Sequence, residues 1–277
     1  MVYRSRVLLS AAAVCLAAAG LVIVGSAQTP EKEPNLTEEQ QREFLLHAKV
    51  VNSRQIDKGI TNPWRLTLSD GRLTHDAAFQ SIDERKPVMQ FPDGRTEINF
   101  RDSYHSNIAA RELAKLLGLD NMVPVTVERN WQGNGGSLSW WVPWKWDAAM
   151  RLQQNLQPPD ADAWNKQMYK ARVFDDLIYD TDPNLGNVLI TEDWKVWRID
   201  FTRAFRLYPD LQDPKELVQC DRQLLEKLRQ LSYEEVLDRT KAHLGKSQVK
   251  AVMARRDKIV AHFEKLIAEK GENAVLY

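Results

Sequence analysis

Short runs of alternating polar and apolar residues fill the first half of the chain, and a three-to-four-residue apolar period fills the second. Thr37 with Gln40 makes a capping box for a helix that runs to about residue 49. Strands are predicted over 50–56 and 64–69, and a third over 73–82, with an Asp70-Gly71 hairpin turn before it. From Lys86-Pro87 to Phe100 the pattern is irregular, with a turn at Pro92-Asp93-Gly94. A helix capped by Asp102 or Ser103 follows and stops at Gly118. Paired strands are expected over 122–128 and 136–142, around a turn holding Gly133, Gly135 and Gly136. Beyond residue 147 the periodicity predicts helices over 161–179, 221–231, 233–244 and 247–270, interrupted by a short hairpin. The expected architecture is α+β and bilobal, with a small β-rich lobe over 37–146 and a larger helical lobe over 147–277.

The first 27 residues stand apart. Arg4 and Arg6 precede an almost wholly apolar run over 7–24, and Gly25-Ser26-Ala27 offers small residues for cleavage. This start reads as an export signal for a secreted or periplasmic protein. The run is long enough to serve as a membrane anchor if it stays uncleaved. Residues 28–36 form a polar tether. Basic and acidic residues balance at 38 each. With no basic run, a nucleic-acid partner is not expected. Cys220 is the one cysteine left after cleavage, so the domain rests on its core and not on an internal disulfide.

The stretch 173–206 carries the candidate chemistry. A polar turn holds Asp180, Asp182, Asn184 and Asn187. Strands over 188–190 and 195–199 follow, and the second leads into Asp200-Phe201-Thr202. An Asp, an Asn five residues on, and a second Asp after a strand–turn–strand is the order of parts in kinase-type phosphotransferases. Asp182 would orient an attacking hydroxyl. Asn187 and Asp200 offer hard oxygen ligands for the Mg²⁺ or Mn²⁺ that clamps nucleotide phosphates. An Asx-rich turn followed by an ordinary hairpin accounts for the same residues without any ligand.

Upstream segments add a resemblance. Asn107-Ile108-Ala109-Ala110-Arg111-Glu112-Leu113, then Leu116-Leu117-Gly118-Leu119, then Val123-Pro124-Val125-Thr126-Val127-Glu128-Arg129 resembles the secretory-pathway kinases of the Golgi casein kinase type. A more distant similarity, limited to the site hairpin, extends to phosphoinositide kinases and HipA-type kinases. The resemblance implies Asp182 as the catalytic residue, with Asn187 and Asp200 on the metal. It implies that Gly59, Ile60 and Thr61 cover the phosphates of ATP. Two positions depart from the family: Gln80 stands where it has Lys, and Asn107 where it has Glu. That ion pair normally positions the nucleotide phosphates. Here both members are neutral amides, and Lys58, Lys86 or Arg101 is left as the nearest source of positive charge.

Two readings follow. One is an exported ATP-dependent phosphotransferase acting on a protein or small-molecule hydroxyl with Mg or Mn. The other is a non-catalytic pseudokinase that binds nucleotide or a partner. Trp140, Trp141, Trp144 and Trp146 crowd the end of a strand, where core packing competes with an adenine-lining role. His75 and His105 carry no zinc spacing. Arg255-Arg256-Asp257 is expected on a solvated helix face or in an ion pair.

Overall fold

The computed structural model describes residues 36–56, 63–92, 94–182 and 184–277. The expected export segment and the Gly59-Ile60-Thr61 phosphate loop lie outside these residues. The polypeptide runs α1 (Glu38–His47), β1 (Lys49–Gln55), β2 (Trp64–Ser69), β3 (Thr74–Gln80), β4 (Asp83–Gln90), β5 (Thr96–Ser103) and α2 (His105–Leu117). It continues through β6 (Thr126–Trp131), β7 (Asn134–Trp140), β8 (Trp146–Asp147), α3 (Ala148–Gln153), α4 (Ala161–Ile178), β9 (Val188–Ile190) and β10 (Val196–Arg198). Helices α5 (Arg222–Gln230), α6 (Tyr233–Thr240), α7 (Lys246–Lys270) and α8 (Glu272–Val275) complete it. Among the described residues no helix is long and apolar enough to cross a membrane.

The fold is α+β, as the patterning predicts. Five antiparallel strands form one sheet in the order β1-β2-β3-β7-β6. Alternate residues of β2 and β3 (Leu66 and Leu68, Ala77 and Phe79) join Leu138 and the Phe44 and Leu45 of α1 in one core. The capping box forms as read: Thr37 Oγ1 accepts from the Gln40 amide, and Gln40 Oε1 from the Thr37 amide. A second, larger core gathers α2, α4, the β9–β10 hairpin and the C-terminal helices around Leu113, Phe174, Leu177, Phe201 and Val252. Helix α2 therefore packs into the helical core, although it follows the strands in sequence.

Three expectations need correction. The irregular stretch over 86–100 is part of a regular hairpin, β4–β5, paired from Asp83↔Ser103 to Gln90↔Thr96. Nearly every residue of β4 is exposed. Side-chain anchoring comes from β5, through buried Phe100 and Ser103 and through Arg101 and Glu97, so β4 carries no buried face to write an alternation into the sequence. The α2 cap is also different. Asp102 and Ser103 end β5, and the N-cap is Tyr104 with no side-chain capping bond. The Ser103 hydroxyl donates instead to Asp83. Finally, the β6–β7 turn is Gln132-Gly133, both left-handed, the two-residue geometry that matches strand twist. Gly135 and Gly136 lie within β7. A Cβ at Gly136 would sit 2.5 Å from the Gln80 carbonyl oxygen, so glycine there lets β7 close against β3 beside the site.

Candidate active site

The loop between α4 and β9 is a ladder of Asx turns. Asp180 Oδ1 accepts from the Asp182 amide at 3.1 Å. Asp182 Oδ1 accepts from Asn184 at 3.0 Å, and Asn184 Oδ1 from Gly186 at 2.8 Å. Each short side chain fixes the backbone two residues on. The Asx-rich reading of this turn is thus correct as far as it goes. The ladder also turns Asp182 toward Asn187, whose Nδ2 donates to Asp182 Oδ2 at 3.0 Å. The Asn187 side-chain oxygen is not used in this bond.

Strand β10 brings in the third member. The Ile199 amide and Arg198 Nη1 both donate to the Asn187 carbonyl, at 3.0 and 2.9 Å. This pins the end of β10 to Asn187 and carries the chain into Asp200. Asp200 is left-handed, with φ at 58°, a conformation that Asp tolerates better than most residues. Thr202 Oγ1 donates to Asp200 Oδ1 at 3.1 Å.

The two amides expected at the cleft meet there. Asn107 Nδ2 donates to Gln80 Oε1 at 2.6 Å and to Ser137 Oγ at 3.0 Å. Its oxygen accepts from the Phe201 amide at 2.7 Å. Gln80 also favours the Asp200 carboxylate. Asn107 therefore ties α2 to β3 through Gln80 and to the Asp200-Phe201-Thr202 segment through the Phe201 amide. Burial raises the Asp200 carboxyl above its ordinary value; Gln80 pulls it down and the charge of Asp182 pushes it up.

A buried ion network stands behind the loop, unsignalled by the kinase-type motif. Arg198 bonds Asp175 through Nε at 3.0 Å and Asp180 through Nη2 at 3.2 Å. Burial works against its charge, and Asp175 then Asp180 hold it in place. An arginine inside a short apolar strand was the available clue. Arg255 is the second surprise. It is fully buried and belongs to no solvated face. It donates to the carbonyls of Leu177, Arg206 and Tyr208, clasping the end of α4 to the segment after Asp200.

The other candidates have local partners. Trp140 stacks on His75 at 3.7 Å, Arg65 covers Trp141, and Trp146 packs on Trp194. Lys86 pairs with Glu84. Arg101 bonds Gln248 of α7, and Lys58 is outside the described residues.

The oxygens of Asn187 and Asp200 suit a hard divalent ion. Among the described residues no three His, Cys, Asp or Glu side chains cluster closely enough to hold a metal unaided. Asp182 and Asp200 repel each other's charge, which a cation would relieve. The residues fit an ion completed by a ligand's own oxygens, not a closed protein cage.

No family model and no curated protein matches the sequence. Solved structures do match. Hydra Fam20 with sugar is 15% identical, with a TM-score of 0.63 over 86% of this chain and 91% of that one. The Golgi casein kinase with Mn/ADP bound is 12% identical, with a TM-score of 0.60 over 86% and 78%. The Helicobacter pylori proinflammatory kinase CtkA is 10% identical, with a TM-score of 0.53 over 82% and 98%. The chain thus has a kinase-like fold, similar to that of Fam20 and the Golgi casein kinase.

Proposed function

We propose that this chain is a kinase-like phosphotransferase that moves a phosphoryl group from ATP to a hydroxyl. The observation that carries the reading is the Asp182–Asn187 hydrogen bond, with the Asn187 carbonyl fastened to the strand end that delivers Asp200. Asp182 orients the acceptor hydroxyl and takes its proton. Asn187 and Asp200 hold Mg²⁺ or Mn²⁺, which offsets charge on the phosphates. The likeness to a kinase holding Mn/ADP supports this choice of nucleotide and metal. The charged and then apolar N-terminus supports export, with residues 1–27 as a signal or an uncleaved anchor.

A specific observation favours a second reading, a nucleotide-binding pseudokinase. Gln80 and Asn107 satisfy each other and Asp200 without supplying a positive charge. Thermal unfolding of the full chain with ATP, with and without Mn²⁺, tests both readings. The phosphotransferase reading expects a metal-dependent stabilisation that Asp200→Ala abolishes, followed by ADP release. A metal-independent shift without turnover would give the site to the pseudokinase. No shift with any nucleotide would remove both.

A further inference from the structure

A cavity of about 860 Å³ lies between the β4–β5 ribbon, residues 205–208 and the first turn of α7. Its lining contains none of Gln80, Asn107, Asp182, Asn187 or Asp200. Arg85, Lys86, Arg101, Arg206 and Lys246 contribute to the wall, and no acidic side chain does. Arg206 is matched by Glu97 and Lys86 by Glu84. The other three are not neutralised. Arg101 bonds only neutral oxygens, including Gln248 Oε1 at 2.8 Å, and its Nε is buried without a hydrogen-bond partner. Arg85 and Lys246 form no ion pair among the described residues.

Three features converge on one ligand chemistry. Uncompensated cations around a partly enclosed space are relieved by an anion. The first turn of the 25-residue α7 opens on the same space, and a helix N-terminus favours negative charge. Ile98, Phe100, Phe205 and Leu207 give the wall an apolar part, beside the polar Asn99, Ser247 and Gln248. The volume falls within the roughly 300–1,000 Å³ range of small-molecule sites.

We propose that this cavity is a second ligand site, separate from the Asp182–Asp200 cleft, for a small phosphate monoester carrying an aromatic or short aliphatic group. The phosphate sits among Arg85, Arg101 and Lys246 at the α7 N-terminus, and the organic group lies against the apolar wall. The cavity wall adjoins the cleft along the chain. Residues 205–208 begin three positions after Thr202, whose hydroxyl holds Asp200. Gln248 grips the Phe205 carbonyl, and Arg206 donates to the Arg101 carbonyl. This site stands whether or not the cleft transfers phosphate.

Titration calorimetry of the full chain with phenyl phosphate, inorganic phosphate and phenol tests the assignment. Phenyl phosphate is expected to saturate one site and to bind more tightly than either half alone. Arg85→Gln with Lys246→Gln should weaken it by about tenfold or more, the loss expected for a charge-assisted hydrogen bond. Both side chains are exposed, so circular dichroism and the unfolding midpoint should not change. Arg85→Lys with native Lys246 should keep most of the affinity. Asp200→Ala should leave binding intact, and saturating ATP with Mn²⁺ should not compete. Three results would overturn the proposal: no saturable binding, binding indifferent to the double substitution, or binding displaced by ATP or lost in Asp200→Ala. Inorganic phosphate binding as tightly as the ester would overturn the role of the apolar wall.

Discussion

Asn107 and Gln80 join α2 to β3 through a 2.6 Å hydrogen bond between two buried amides. A charged pair at this place would cost desolvation and return Coulomb energy; the amide pair does neither.

Asn107→Glu alone should therefore destabilise the fold by about 3–5 kcal/mol, because it places an unmatched carboxylate beside Asp200 and Gln80. Adding Gln80→Lys should recover at least half of that loss. Urea unfolding of the two single variants and the double variant measures the coupling. Strictly additive effects would show that the two side chains do not act as a pair.

Asp182→Asn keeps an acceptor for the Asn184 amide and so the Asx ladder, but turns an NH2 toward Asn187 Nδ2 and loses that one bond. Under the proposed reading it lowers turnover by about 10²–10⁴ and leaves the metal-dependent nucleotide shift in place. Asp200→Asn should instead lose the shift. Parallel thermal-shift and ADP-release measurements separate these roles; identical behaviour of the two variants would not fit them.

Arg198→Met should cost about 3–5 kcal/mol in urea unfolding, since it leaves Asp175 and Asp180 together without their cation. A loss below about 1 kcal/mol, the range of exposed pairs, would contradict a buried network.

His105 and His243 face each other with their Nδ1 atoms 3.1 Å apart, which requires at least one neutral ring. Burial lowers both below the ordinary histidine value. For His105, Asp83 and Glu128 oppose the shift while Arg101 and Arg85 add to it; for His243, Glu128 opposes and His105 adds. On acidification the unfolded chain takes up protons first. This contribution to stability is therefore complete above about pH 6.5 and is lost as pH falls through the folded values. The urea midpoint should drop between pH 7.5 and pH 5.5. Replacing both histidines with Gln should flatten the drop; an unchanged slope would place the titration elsewhere.

Elements with a buried face were legible in the sequence. Strands β2 and β3 alternate, the helices keep their period, and the Thr37 box and Gly118 stop work as read. The β4–β5 ribbon was not, because β4 is exposed along nearly its whole length and the burial on β5 is confined to its second half. The Asp182–Asn187 pairing was legible from spacing, and the meeting of Gln80 with Asn107 from the family resemblance. Arg198 and Arg255 were hidden for a shared reason. A guanidinium reads as surface until its carbonyl and carboxylate partners are known, and those lie far away in sequence.

Arg255 also sets an order of assembly. Its three carbonyl partners belong to the end of α4 and to the segment just after Asp200, yet the arginine comes 47 to 78 residues later in synthesis. A ribosome-bound chain that has released the whole Asp182–Asp200 hairpin still lacks the clasp behind it. The candidate site is therefore buttressed only after α7 has emerged, and termination before Arg255 should leave the hairpin without its clasp.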